Sequence, residues 1–313
     1  MFVMTLFTGF SSATHGQPSE AMDQTNTVDH PKHSQIAPKR VVTLFQGATD
    51  NAVALGLKPV GVVESWTEQP MYHYLRPYLE GVHYLGLETQ PDLESIAWLN
   101  PDLIVGERSR HQLISPLLSR IAPTVIADQL YDFKALLKLM GQAAGREHKA
   151  DELLACWQVR VEDFRMKMAS RLGERWPQKV SVIRFRGASA RIYYGGFARS
   201  VLDELGFTRP ESQRQSGWGI NLTSQESIPA MDAEAIFVFM VESNPSVMET
   251  YRTWTRHPLW QQLEAARSKQ IYKVNPVTWN MGGGYLAANN LLDELYAHYS
   301  LEPLNQAQEC CTC

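Results

Sequence analysis

Between residues 132 and 172 the chain shows no strand signal, and this gap limits the possible folds more than any other feature. Within it Ala150, Leu153, Trp157, Val161, Phe164 and Met168 recur at spacings of 3, 4, 4, 3 and 4, one face of a helix. Some ~25 residues of helix rising ~1.5 Å each would reach close to ~40 Å, about the length of a whole lobe. The segment reads as a rigid strut.

Strand and helix alternate on both sides of it. Before it, apolar runs at 41–45, 59–63, 103–105 and 125–126 read as buried strands, and 50–57, 93–99 and 113–121 read as helices. After Trp176-Pro177, strands are expected at 180–185, 235–240 and 271–274, and helices at 198–205 and 285–299. Strands separated by helical stretches imply right-handed crossovers and parallel sheets. The fold class is therefore α/β, with two Rossmann-like lobes joined by one long α-helix. The expected divisions are a lead-in at 1–39, a first lobe at 40–131, a linking region at 132–176, a second lobe at 177–303 and a tail at 304–313. Two such lobes leave a cleft between them, and ligands prefer the carboxyl ends of strands at such junctions.

The chain has 313 residues, 44% hydrophobic and 20% charged, with a formal net charge of −4. That is the balance of a globular protein and lacks the basic surface of a nucleic-acid binder. No apolar run approaches the ~20 residues of a membrane-spanning helix. Residues 1–13, MFVMTLFTGFSSA, read as the apolar part of a secretory signal without its basic leader, so a clipped signal and a periplasmic location are expected. Residues 14–39 are polar, proline-punctuated and aperiodic. No cysteine lies near the start, which argues against a lipid anchor. Cys156 sits in the helical pattern as a small apolar residue. Cys310, Cys311 and Cys313 crowd a chain end that offers no ordered frame for a metal.

Two segments point to a ligand. QRQSGWGIN (213–221) and IYKVNPVTWNMGGGYL (271–286) each set a tryptophan, Trp218 or Trp279, beside glycines at a strand end. Aromatic rings in glycine-bordered loops suit the wall of a cleft, and a pair of buried tryptophans at a hinge is the alternative. The Gly282–Gly284 run leads into a helix whose free amides could face an anion. Arginines also gather after strands. Arg108 and Arg110 follow 103–105, Arg184 and Arg186 lie two apart at the end of the strand expected at 180–185 and so share one face, and Arg191 and Tyr193 come shortly after. Such clustering in a net-acidic chain suggests an anionic ligand, and an unpaired guanidinium inside a strand is costly to bury. No G-x-G-x-x-G after a strand, no G-x-x-x-x-G-K-[ST] and no G-x-S-x-G occurs, and the nine histidines form no helical H-x-x-x-H pair. A binding protein is expected rather than an enzyme.

Four stretches carry a resemblance: RVVTLFQGATDNAVALGLKPVGV (40–62), YLGLETQPDLESIAWLNPDLIVGERSRH (84–111), RIYYGGFARSVLDELGF (191–207) and HPLWQQLEAARSKQIYKVNPVTW (257–279). Together they resemble the periplasmic proteins that deliver ferric siderophores to ABC importers, in the ferric-citrate and ferric-hydroxamate branch. The resemblance implies a two-lobed fold with little hinge motion, no intrinsic cofactor, and a monomer that meets a permease and its ATPase. It implies that Trp218 and Trp279 pack on the ligand and that Arg110 grips it. Glu94 and Glu226 match the acidic residues presented to transporter arginines, with ordinary first-turn negative charge as the alternative.

One departure stands out. Glu88, in GLETQP, occupies the place of a cleft arginine, so Arg76 or Arg108 is expected to compensate, or the ligand to carry a cationic arm. The expected contacts are then Arg76, Arg108, Arg110, Arg184, Arg186, Arg191, Tyr193, Trp218, Trp254, Trp279 and Tyr285 around an Fe³⁺–siderophore of carboxylate or hydroxamate type. Iron would keep its hard oxygen ligands from the chelator. A cobalamin or haem carrier of the same fold is an alternative, with Tyr193 or Tyr285 as axial ligand, and a cytoplasmic α/β enzyme is a further one.

Overall fold

Short apolar runs, VVT, GVVE and LIVGE, almost wholly buried, form the centre of the first sheet. The structure, a computed structural model, describes residues 38–304. The segments read as signal, lead-in and cysteine tail lie outside the described residues, apart from 38–39 and Leu304.

The first sheet holds β1 (Val41–Thr43), β2 (Gly61–Glu64), β3 (His83–Leu87), β4 (Gln90–Pro91), β5 (Leu103–Glu107) and β6 (Thr124–Ala127), in the order β4-β3-β2-β1-β5-β6. All pairings are parallel except β3 with β4. Helices α1 (Gln46–Ala54), α2 (Leu93–Trp98), α3 (Arg108–His111) and α4 (Ser115–Ile121) link these strands. Side chains alternate across the sheet as strand geometry requires. Val41 and Val105 face one core, while Val42 and Ile104 face another.

Helix α5 (Phe133–Ala144) ends on Gly145 in the left-handed conformation, and α6 (Glu147–Leu172) follows with 26 residues, ~39 Å at ~1.5 Å per residue. Ala150, Trp157, Val161, Phe164 and Met168 are buried along it, with Leu153 half-buried.

The second sheet is mixed. It contains β7 (Val180–Phe185), β8 (Ala190–Tyr193), β9 (Gly219–Leu222), β10 (Ala235–Phe239) and β11 (Ile271–Lys273), in the order β11-β10-β7-β8-β9. β7, β10 and β11 are parallel, whereas β8 and β9 pair antiparallel at one edge. The wholly parallel sheet expected here is thus incomplete. A tight turn at 186–189, closed by Arg186 N–H donating to Ser189 O at 2.8 Å, folds β8 back on β7. Helices α7 (Phe197–Glu204), α8 (Pro245–Arg256), α9 (Pro258–Gln262), α10 (Glu264–Arg267) and α11 (Tyr285–His298) complete the chain.

The largest core is common to both sheets. It joins Val41, Phe45 and Val105 of the first sheet's inner face to Val182, Phe237 and Phe239 of the second's, through α1, α5, α6, α7 and α11. The outer face of the second sheet, with Ile183, Phe185 and Val238, has its own core under α8 and α9. No helix among the described residues is long and apolar enough to cross a membrane.

Candidate functional site

The carboxyl ends of β1, β2, β3, β5, β6 and β7 converge on one hollow of about 340 Å³. Gln46, Trp66, Glu88, Arg110 and Tyr131 reach it from the first sheet, and Arg184 reaches it from the second. Residues 280–283 close it from the loop before α11. Its size and position, at strand ends between two sheets, are those of a small-molecule site.

Glu88 organises the first wall. Only 3% exposed, its Oε1 accepts from Gln46 N–H at 2.8 Å and its Oε2 from the Trp66 indole N–H at 2.9 Å. Arg110 Nη1 lies 2.7 Å from the same Oε2, with its guanidinium over the Trp66 ring at 5.9 Å. Burial pushes the Glu88 carboxyl above its usual range, and Arg110 and the two N–H donors oppose that rise. The backbone is held as firmly. Glu107 N–H donates to His111 Nδ1 at 3.0 Å, so the ring carries its proton on Nε2 and donates to Glu88 O at 2.8 Å. Burial holds the His111 pKa below the ordinary value, which keeps the ring neutral. The Glu107 carboxylate caps α3, accepting from Ser109 N at 2.9 Å and Arg110 N at 3.2 Å.

The second wall is cationic. Arg184 on β7 lies directly opposite Arg191 on β8, and Arg191 lies opposite Asn221 on β9, donating from Nε to Asn221 Oδ1 at 2.8 Å. Among the described residues neither arginine pairs with a carboxylate. Like charges facing each other across strands are destabilising, so this pair favours an anion between or above it.

Tyr131 and Trp218 meet edge to face, 4.7 Å between centroids. Trp218 is 52% exposed and lines an adjoining hollow of about 560 Å³ that shares Tyr131. Trp66, 47% exposed, and Tyr131 were not singled out from sequence, although both follow strands, β2 and β6.

Several expected contacts lie elsewhere. Trp279 is 0% exposed: Val277–Met281 is a π-helical turn that sends its indole inward, 4.7 Å from the Phe237 ring, with Nε1 donating to Glu294 Oε2 at 3.1 Å. Its neighbours Asn280 and Met281 line the cleft instead, so no Trp218–Trp279 pair spans the groove. Trp254 packs edge-on against Phe185 in the core beneath the second sheet's outer face, away from the cleft. Tyr193 and Tyr285 are buried in the shared core, Tyr193 against Phe239.

Arg76 is committed to the carbonyls of Glu68, Gln69 and Met71, and Arg108 to Asp128 and Gln112. Neither compensates Glu88; Arg110 does. Arg186 lies just past β7, in the turn. Glu94 and Glu226 are both exposed, each in a capped first turn, one in each lobe.

The amides at the start of α11 do not face an open anion site. Asp50 on α1 fills that position, accepting from Leu286 N at 2.7 Å, Ala287 N at 2.9 Å and the Tyr74 hydroxyl at 2.7 Å, while Asn51 Oδ1 accepts from Tyr285 N at 2.8 Å. The glycines allow the approach: a Cβ on Gly284 would sit 2.4 Å from Asp50, and Gly283 takes a φ of +74°. Burial pushes Asp50 up to about 6, against three hydrogen bonds that lower it.

Comparison with known proteins agrees with this architecture. The family model described as "Periplasmic binding protein" matches residues 41–278. The achromobactin-binding periplasmic protein of Dickeya dadantii is 51% identical over 264 residues, covering 84% of this chain and 87% of that protein. The probable siderophore-binding lipoprotein YfiY of Bacillus subtilis is 38% identical over 313 residues, covering 96% and 95%. The crystal structure of Staphylococcus aureus SirA complexed with staphyloferrin B superposes with a TM-score of 0.82 at 41% identity, covering 86% of this chain and 95% of that one. The fold, the cleft at its strand ends and these matches together place the chain in the periplasmic binding protein family.

Proposed function

We propose that the protein captures an Fe³⁺–siderophore of carboxylate type in the periplasm and delivers it to an ABC importer. The observation that carries this is Arg184 in the cleft lining with Arg191 opposite it on the neighbouring strand, neither neutralised by a carboxylate among the described residues. Guanidinium groups suit carboxylate oxygens, which they grip with charge-assisted bonds. A relative named for achromobactin binding and a similar structure complexed with staphyloferrin B support siderophore capture. Trp66, Tyr131 and Trp218 supply rigid aromatic surface for the chelator's apolar parts, so little freedom is lost on docking. The haem alternative loses support, because Tyr193 and Tyr285 are both core residues.

Titration with iron-loaded staphyloferrin B, followed by calorimetry and tryptophan fluorescence, tests this. Saturable heat with quenching is expected, because Trp66 and Trp218 are accessible. A flat trace across carboxylate chelates would overturn it. For delivery, Glu94→Ala with Glu226→Ala is expected to leave binding intact and impair uptake in cells. Normal uptake by that double variant would remove these two residues from docking.

A further inference from the structure

Glu88 is the one carboxylate among the described residues that line the cleft, and its placement is too well supported to be incidental. A buried acid without partners would be costly in a site for anions. Here three donors hold it: the Gln46 amide, the Trp66 indole and Arg110. A fourth bond, from His111 Nε2 to its carbonyl, fixes its backbone. Arg110 remains at the cleft, its side chain 22% exposed, but with its charge already answered. The opposite wall differs. Arg184 and Arg191 stand side by side with a neutral Asn221 as polar neighbour. The cleft is therefore electrically one-sided.

On the ferric-chelate function proposed above, we propose that Glu88 is a specificity-determining residue, the protein's own counter-ion to Arg110, which leaves Arg184 and Arg191 as the seat for the chelate's free carboxylates. The consequence is discrimination. A small polycarboxylate without iron, offered open guanidiniums at Arg110 and Arg184 with Arg191 beside the latter, would bind by charge alone. With Arg110 neutralised, charge alone is insufficient, and a ligand must also fill the aromatic surface of Trp66 and Tyr131. The Glu88–Arg110–Trp66 unit further presents a preformed wall, so its geometry need not be assembled by the ligand.

The test compares wild type, Glu88→Gln, Arg110→Gln and the double variant, each titrated with iron-loaded staphyloferrin B and with iron-free citrate at low and high salt. Glu88→Gln is expected to bind the ferric chelate about tenfold tighter at low salt, with the gain fading at high salt, and to gain measurable affinity for citrate. Arg110→Gln, leaving Glu88 unpaired, is expected to weaken the chelate by about tenfold or more. The double variant, which removes no net charge, is expected to recover most of the affinity lost in Arg110→Gln and to keep the wild-type salt slope. If the double variant binds as poorly as Arg110→Gln, Arg110 grips the ligand directly and the counter-ion role is overturned. Glu88→Gln that weakens the chelate equally at both salt levels, or gains no citrate affinity, overturns it too. Failure of the wild type itself to bind any carboxylate chelate overturns the function on which this rests.

Discussion

Arg184 and Arg191 face one another at adjacent strand positions, an arrangement that works against the folded state when the cleft is empty. Removing one charge should therefore separate stability from binding. Arg184→Met is expected to weaken the ferric chelate by about tenfold or more while leaving the thermal midpoint unchanged or slightly higher. Calorimetric titration beside thermal unfolding reads both, and a variant that melts earlier but binds normally would assign Arg184 to packing. Trp279 makes the converse case. Trp279→Phe is expected to lower stability by about 1–3 kcal/mol, through the lost bond to Glu294 and lost packing on Phe237, with affinity within about twofold of wild type. Legibility at this scale was uneven. Arg110, Arg184 and Trp218 could be picked out as charge or aromatic surface beside strand ends. The inward turn of Trp279 could not, because a π-helical turn depends on how the segment packs and leaves no periodic trace. The pairing of Glu88 with Arg110 joins residues 22 apart through a fold that neither segment encodes alone.

At the scale of elements, α1 and α11 are joined by a carboxylate rather than by apolar contact alone. Asp50 meets two amides of the α11 first turn, where a negative charge is favoured by the helix dipole, but it does so in full burial. Burial wins, and the folded-state pKa of about 6 stands above the unfolded value. Protons therefore bind the folded state more tightly, so this group's contribution to stability grows as pH falls through about 6 and is complete below the unfolded pKa. The rise from 3.8 to about 6 corresponds to roughly 3 kcal/mol. Asp50→Asn is expected to lack this rise, so the stability gap between wild type and variant should widen from pH 7.5 toward pH 4. Chemical denaturation across that range measures it, and a constant gap would show that Asp50 titrates normally. β1, β5, β7 and β10 were legible because each is built around a run of buried apolar residues, whereas the parallel strand β3, HYLGL and half exposed, was not. The β8–β9 edge was not, since ARIY and GINL interleave polar residues at a sheet margin that needs only one dry face.

At the scale of the molecule, the two sheets do not own separate interiors facing the cleft. One core runs from Phe45 through Phe133, Trp157 and Phe164 to Phe237, so separating the sheets would expose it. Unfolding is expected to be a single cooperative transition in calorimetry, despite two sheets and a ~40 Å connecting helix. Two resolved transitions would show that the shared core contributes little coupling. Small-angle scattering is expected to give nearly the same radius of gyration with and without ferric chelate, a change under about 1 Å. The long strut was the most legible feature of all, because its apolar face persists over the whole of α6. That the same face would weld both sheets into one interior was not, since helix periodicity says which side is dry and not how many neighbours share it.

A body so welded has little room to signal occupancy by clamping shut. If the protein delivers a ferric chelate as proposed, the sign of occupancy for a permease would be written in the chelate's own uncovered face at the groove mouth, and in the glycine-flanked Trp218 beside it, rather than in the distance between the two halves.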